Sequence, residues 1–474
     1  MNKYRLLAIN TVVFTLGSFG SKIISLLLNN LYTRHISPND MFKKSMLETL
    51  AMFLIPVFTF AITESVIRFG LDKHYKKKDV FSTAAILNFV GLLPMLLIVP
   101  FIPMLPFFKS VSGYMMLLMI YISASSIRAL CSQFVRAKKM VKLFAFDGIY
   151  TTLMLLIFNL LFISYCDMGV TGFMLSTILS DLCSSLFLFI AANLKRYFSV
   201  KAWSRKLAYS MLKFSIPMVP TIVMWTFTGF SDQIFIGNMK SDSVFIGEDA
   251  AGIYAAASKV PSLISMLSTI FMKAWNMSAI SENEANDRNI FYEKVYSAYE
   301  SFLFIGAAGL ILMIKPVTSL LIDYSVYPEY SQAFIYSPLL IAASVYVCLD
   351  LFLASIYTAT KHTKNAFLTI AFVSVSNIIL NLLLIPIIGM HGAAVATFIS
   401  YLLCFWARII DARRFVPFRF HASKNITNTL LILCMCALTI YHPRYYIVSQ
   451  LLITVIVAAL NFKPLKQMMK RLLR

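Results

Sequence analysis

Lys22 stands in a row of polar residues within an otherwise apolar stretch. Thr11, Thr15, Ser18, Lys22, Ser25, Asn29 and Thr33 follow one another at intervals of 4, 3, 4, 3, 4 and 4. That spacing sets them on one face of an α-helix. The residues between are nearly all apolar, among them Val12, Val13, Phe14, Leu16, Phe19, Ile23 and Ile24. A lysine deep in such a helix costs about 3 kcal/mol on membrane-insertion scales unless it faces protein or water. The row is expected to line something wet inside a bundle of membrane helices.

Other ionisable residues recur in apolar segments: Glu48, Glu64, Arg128, Asp147, Asp181, Asp232, Lys259, Lys273, Glu300, Lys315 and Asp350. Such charges mark a substrate or ion path, or pair to hold helices together. Glu48, Asp147, Glu300 and Lys315 lie near span ends and are expected to snorkel to the interface. Lys259 and Lys273 are fourteen residues apart, close to four turns, so a straight helix puts them on one face about 21 Å apart. Two readings fit the central set. In one, Lys22 or Lys259 pairs with Asp232 as a static strut. In the other, Lys22, Lys259 and Lys273 form a cationic cavity for an anionic head group, modulated by Asp232 or Glu64. Arg68, just past its span, is either a topology anchor or a phosphate holder, a task that its bidentate fork suits. Trp225 lies seven residues before Asp232 on the same face, where an indole packs or stacks on a sugar.

Enzyme chemistry has no comparable signal. There is no Gly-x-x-x-x-Gly-Lys-Ser/Thr, His-Glu-x-x-His or Gly-x-Ser-x-Gly motif,. The seven cysteines are scattered without disulfide or metal spacing,. No catalytic residue, cofactor or metal site is therefore expected, and the chain is read as not an enzyme.

The elements that position these residues follow from composition. Hydrophobic residues make up 59% of the chain and the mean hydropathy is +0.77, values foreign to a soluble domain of this size. At about 20 apolar residues per membrane helix, fourteen spans are expected: 10–33, 45–67, 80–104, 113–135, 146–166, 170–194, 214–238, 251–277, 297–322, 333–358, 366–388, 390–408, 425–441 and 445–461. The last four are expected to carry no charge in their interiors. The acidic segment 278–296 is read as a surface amphipathic connection. The fold class is an all-α integral membrane protein.

The net charge of +21 raises the question of nucleic acid. Its distribution argues for a membrane instead. With the N-terminus inside, 31 of the 42 Lys and Arg residues fall on the inner side. That is the positive-inside rule, and it puts both termini in the cytoplasm. Contact with acidic membrane lipids is a generic consequence. The first apolar run is too long for a signal-peptide core and is expected to remain as span 1.

The chain repeats itself. Asn159-Leu-Leu-Phe-Ile163 with Gly169-Val-Thr-Gly172, Thr177 and Ser180 matches Asn381-Leu-Leu-Leu-Ile385 with Gly389-Met-His-Gly392, Thr397 and Ser400. The shift is six spans, so orientation is conserved and the halves form a parallel repeat. The same shift sets Thr221 on Thr11, Thr228 on Ser18 and Asp232 on Lys22. The expected organisation is a six-helix lobe over 1–196, a second over 197–416, and an appended helix pair with a basic tail over 417–474.

Several segments, taken in order, carry a family resemblance. They are Gly20-Ser-Lys22, Leu31-Tyr-Thr-Arg34-His-Ile-Ser-Pro38, Val66-Ile-Arg68-Phe, Ser-Ile-Pro217-Met-Val-Pro220, Ser231-Asp232-Gln-Ile-Phe-Ile-Gly237, Ala251-Gly-Ile-Tyr254, Ser-Lys259-Val-Pro261, Tyr327-Pro-Glu-Tyr330 and Asn381 to Gly392. The chain resembles the bacterial polysaccharide flippases of the multidrug/oligosaccharidyl-lipid/polysaccharide exporter superfamily. The resemblance implies a V-shaped bundle with a central cavity lined by spans 1, 2, 7 and 8. Those spans carry the substrate-binding candidates Lys22, Glu64, Arg68, Trp225, Asp232, Lys259 and Lys273. It also implies an undecaprenyl-pyrophosphate-linked oligosaccharide as cargo, moved by alternating access with possible ion coupling. A polysaccharide polymerase and glycosyltransferases are implied as partners. Asn39-Asp-Met-Phe departs from the glycine-containing turn usual after span 1. Lysines stand where lipid II flippases tend to carry arginines, which favours a polysaccharide repeat unit. The alternatives are a lipid II flippase, a cation-coupled multidrug exporter using Asp232 and Glu64, and a membrane polymerase or ligase, against which the short outside loops argue.

Overall fold

The computed structural model describes residues 24–473 apart from 73, 242, 282–286 and 361. Among the described residues there is no strand. They form two compact units, and the boundary falls within one helix, at Ile234–Phe235. The first unit contains α1 (Pro38–Phe58), α2 (Ile62–Leu71), α3 (Lys77–Leu92), α4 (Met115–Ala137), α5 (Val141–Asn159), α6 (Gly169–Ala191) and α7 (Arg205–Ser215), and α8 (Val219–Asn238) straddles the boundary. The second contains α9 (Glu248–Ala257), α10 (Ser262–Ser281), α11 (Arg288–Leu312), α12 (Ile314–Leu321), α13 (Ala333–Ala359), α14 (Thr363–Ile388), α15 (Met390–Phe415), α16 (Ala422–Tyr441) and α17 (Tyr446–Leu473).

Eleven of the described helical segments are long and apolar enough to cross a membrane, or thirteen with each of two bent pairs taken as one span. These thirteen coincide with the second to fourteenth expected spans. The first, 10–33, lies largely outside the described residues, and Lys22 with it. Two boundaries differ from expectation. The connection 278–296 is helical at both ends, because α10 runs to Ser281 and α11 begins at Arg288. The basic tail does not leave the last helix, because α17 continues through Pro464 to Leu473.

Lipid tails are as apolar as leucine, so helices in a membrane associate through close packing and interhelical hydrogen bonds. Both are present. In the second unit Trp275 stacks on Phe352 with ring centroids 4.6 Å apart, and its indole N–H donates to Ser355 Oγ at 2.7 Å. Phe271 stacks on Tyr299 at 4.6 Å. In the first unit Phe81 and Phe134 meet at 4.5 Å. Polar side chains fasten the appended pair. Asn425 Nδ2 donates to Glu300 Oε1 at 2.8 Å, and Lys424 lies 3.8 Å from the other carboxylate oxygen. Asn428 and Asn461 exchange amide hydrogen bonds of 3.3 and 2.8 Å between α16 and α17. Glu300 is thus a buried anchor rather than the interfacial residue that its place near a span end implies.

The repeat is written into the backbone as well as the sequence. Gly169 and Gly389 both hold positive φ, +51° and +59°, the region glycine enters at no steric cost. Three residues on, a Cβ on Gly172 would stand 3.0 Å from the Phe162 carbonyl oxygen, and one on Gly392 would stand 2.5 Å from that of Leu384. Each second glycine lets its helix press on the end of the preceding one. We expect Gly392→Ala to cost about 1–3 kcal/mol of stability as an overpacking change, and Gly172→Ala less. Thermal unfolding of the detergent-solubilised variants measures both, and equal losses would contradict the difference in clearance.

Candidate functional site

Two spans are broken, and the breaks carry the site candidates. In the first unit Pro56 lacks an N–H and cannot bond the Met52 carbonyl. The chain leaves α1 at Thr59 and passes Phe60 (φ +54°) and Ala61 (φ +48°). It restarts as α2 at an angle of 55°. Left-handed conformations cost L-residues about 1–2 kcal/mol each, so neighbours must hold the break. Ala61 N–H donates to the Pro56 carbonyl at 2.9 Å, and Thr59 Oγ1 donates to Ile55 O at 2.6 Å. Gly91 of α3 sits against the corner so closely that a Cβ there would be 2.0 Å from the Phe58 carbonyl oxygen. Ser65 Oγ donates to Met211 O at 2.7 Å and ties α2 to α7.

The short helix α2 presents Glu64 and Arg68 one turn apart, both exposed. The Arg68 guanidinium lies 4.4 Å above the ring of Phe214. Stacking of this kind orients the planar group while leaving N–H edges open to an anion. Among the described residues neither Glu64 nor Arg68 has an ion-pair partner.

The second break lies between α9 and α10, which meet at 49°. Pro261 cannot donate to the carbonyl of Ala257, four residues earlier. That carbonyl is met from another helix instead: Ser337 Oγ on α13 reaches it at 3.2 Å while also reaching Ala333 O at 2.8 Å. Val260 N–H adds a contact of 3.2 Å. Lys259 sits in this corner, half-buried, with no ion pair among the described residues. The bend removes the single straight face on which the fourteen-residue spacing would align Lys259 with Lys273. Lys273 is a position of α10, but its side chain is not among those described.

The two breaks are in the second and eighth spans, one six-span shift apart. Irregular backbone at membrane depth persists only where protein covers it or where it lines a water-filled cavity. In α8, Thr228, Ser231, Asp232 and Gln233 are buried, and Ser45 Oγ of α1 donates to Gln233 Oε1. Trp225, two turns before Asp232, is 54% exposed. Its indole face is open for contact, whereas Asp232 is enclosed.

The remaining membrane charges are largely satisfied within each unit. Arg128 of α4 lies 3.4 Å from Asp181 of α6 and 3.9 Å from Asp147 of α5, and its Nε donates to Ser184 Oγ at 3.2 Å. Ser184 donates to Asp147, and Ser125 to Asp181. Asp147 is buried here, not at an interface, because this knot surrounds it. In the second unit Arg408 is buried in α15, 5% exposed. This corrects the expectation that the last four spans carry no charge. The twelfth span ends at 408 by hydropathy, but the helix continues to Phe415. Both breaks hold a proline that the sequence shows inside an apolar span, Pro56 and Pro261,. The left-handed Phe60-Ala61 corner had no signal at all.

A model of the family "Polysaccharide biosynthesis protein" matches residues 7–276. No curated protein matches the sequence significantly. Among solved structures, the chain is similar to a lipid II flippase, MurJ, in an inward closed conformation, with TM-score 0.71 and 17% identity over 98% of this chain and 100% of that one. It is similar to an inward-facing multidrug resistance MATE family transporter of the MOP superfamily, with TM-score 0.69 and 13% identity over 88% and 99%. A MATE transporter of Vibrio cholerae gives TM-score 0.62 and 13% identity over 87% and 97%. At these identities the likeness establishes a shared fold.

Removing the hydroxyl that meets Ala257 should loosen the second corner. Ser337→Ala is expected to cost about 1–3 kcal/mol, the penalty of a buried carbonyl losing a donor. It should also speed amide exchange at Ser258 to Ser262. Unchanged exchange there would show that Ser337 does not hold the break.

Proposed function

We propose, from the premise that the chain belongs to the polysaccharide biosynthesis protein family, that it is a flippase for lipid-linked oligosaccharide. The cargo is an undecaprenyl-pyrophosphate-linked repeat unit, carried across the bacterial cytoplasmic membrane. Both termini lie in the cytoplasm, and internal symmetry divides the chain at 1–196, 197–416 and 417–474. The observation that supports this reading best is the pair of broken spans, each with a cation set at or just beyond its corner. Arg68 offers a stacked guanidinium, the group whose fork matches phosphate oxygens. Lys259 offers a point charge at the second corner, and Lys22 and Lys273 add to the cationic character. Trp225 supplies an exposed indole suited to stacking on a sugar ring. Asp232 and Glu64 temper the field or serve ion coupling. The sugars and pyrophosphate cross within the protein while the lipid tail stays in the bilayer, by alternating access. Glycosyltransferases act before this step and a polymerase after it. The chain itself makes and breaks no covalent bond.

A lipid II flippase is the second reading, favoured by the end-to-end match to such a protein. Rescue of lipid II export in cells depleted of their own flippase distinguishes the two.

Lys259→Ala and Lys22→Ala are expected to abolish surface polysaccharide while membrane insertion persists, with lipid-linked repeat units retained on the cytoplasmic face. Wild-type polymer in both variants would remove these lysines from the cargo path. Arg68→Lys keeps the charge but loses the fork and the ring contact, so it is expected to fall between wild type and Arg68→Ala in polymer yield.

A further inference from the structure

A cavity of about 780 Å³ opens where the start of α12 meets the turn between α16 and α17. It lies wholly within the second unit. Lys315, His442 and Arg444 form its polar wall, and Met313, Val448 and Leu451 are part of its apolar floor. None of the residues lining it is acidic, and none is a cargo-binding candidate. A volume of this order suits a small-molecule group.

The turn is firmly built. His442 caps α16 in the left-handed region, at φ +48°, and Pro443 follows with its own φ fixed. Behind it, Gln450 Nε2 of α17 donates to Met435 O at 2.8 Å and to Thr439 Oγ1 at 3.1 Å. The His442 ring stacks on Tyr446 with centroids 4.2 Å apart. Its Nδ1 lies 3.1 Å from the Thr439 carbonyl oxygen. A carbonyl only accepts, so Nδ1 carries the proton and Nε2 is left to accept. Lys315 Nζ donates to that Nε2 at 2.8 Å.

The imidazole takes one of the three donors of the ammonium. The rings of Phe334 and Tyr446 lie 5.5 and 5.9 Å from Nζ. Arg444 rests 6.0 Å from the ring of Tyr445. Among the described residues neither cation has an ion-pair partner. Tyr441 and Tyr445 are exposed beside them, and tyrosines collect at the headgroup level of a membrane. Val448 and Leu452, one turn apart on α17, continue from the cavity as an exposed apolar face,.

We propose that this cavity binds the phosphodiester headgroup of an anionic phospholipid of the phosphatidylglycerol type, with Lys315 and Arg444 on its oxygens and its acyl chains along Val448 and Leu452. A phosphodiester carries one negative charge and two unesterified oxygens, which gives each cation an acceptor. A zwitterionic headgroup brings its own ammonium toward the same two cations and gains less. Once bound, the lipid ties α12 to the α16–α17 turn.

The test uses the full-length protein in vesicles, with Leu452→Trp as reporter and the emission of the four native tryptophans subtracted. Lipids brominated on their acyl chains quench an indole that they touch. A basic residue beside an anionic headgroup is worth about a fivefold preference. Brominated phosphatidylglycerol is therefore expected to occupy the site about fivefold or more ahead of brominated phosphatidylcholine at equal mole fraction. Equal quenching by the two lipids would overturn the proposal. Lys315→Met combined with Arg444→Gln is expected to abolish the preference, and a preference retained there would overturn it as well. Lys315→Arg should keep the preference, whereas its loss would mean that the lysine acts by shape and not by charge, against the proposal. Arg444→Gln alone alters an exposed turn residue and stands as the second variant if Lys315→Met does not fold. It should lose about fivefold, and an unchanged preference would remove the arginine from the site. Millimolar glycerol 3-phosphate should leave the quenching as it was. If it returns phosphatidylglycerol to the phosphatidylcholine level, the site takes free phosphate and the lipid assignment falls.

Discussion

A backbone carbonyl inside a bilayer must find its donor in protein or trapped water, and this chain bends twice where it has no ordinary means of doing so. Everything notable about the candidate site follows from how those two corners are satisfied. At the second, a proline takes away the donor and a serine on α13 gives one back. At the first, a glycine on α3 lets the backbone of one helix press on the corner of another. Without such neighbours a broken span would revert to straight helix or slip out of register. With them, cationic side chains are held at fixed corners, where a straight helix would have placed them along one face.

Charge is managed with the same economy inside each unit. Helices α4, α5 and α6 are related by the repeat to α13, α14 and α15. In the first set an arginine on the leading helix meets aspartates on the other two. In the second the leading helix carries the acid, the middle one a hydroxyl, and the last the arginine. The two halves share a fold and invert the polarity of its ionic knot. One knot is closed by ion pairs, and the other keeps its arginine and carboxyl side by side without a direct bond. Duplicated lobes thus need not carry the same ionic task.

Membership of a polysaccharide biosynthesis family, the run of long apolar helices and the likeness to flippase and exporter folds agree on a multi-pass membrane protein. Local chemistry sorts the basic residues into those committed to partners within their unit and those with no ion pair among the described residues. Arg128 and Arg408 belong to the first group, whereas Arg68 and Lys259 belong to the second. That sorting comes from contacts, because all four read alike as basic residues in or beside apolar segments.

The sequence by itself determined the class of fold. Hydropathy runs long enough to cross a membrane and the paired glycine motifs are local signals, and the described residues bear both out. Gly169 and Gly389 were legible because only glycine takes up positive φ without cost. The bends were half legible: Pro56 and Pro261 announced a lost donor, but whether a proline merely kinks a helix or breaks it depends on the residues packed around it. Phe60 and Ala61 gave no warning, since nothing in their own chemistry favours a left-handed backbone. The state of each charge was not legible at all. Asp147 and Glu300, near span ends, are buried, and Arg408, the last residue of a span by hydropathy, is buried inside a helix that runs on to Phe415. Distance along a chain measures depth in a membrane. Only tertiary packing decides which acid meets which base, because those partners lie on different helices and are brought together by the fold.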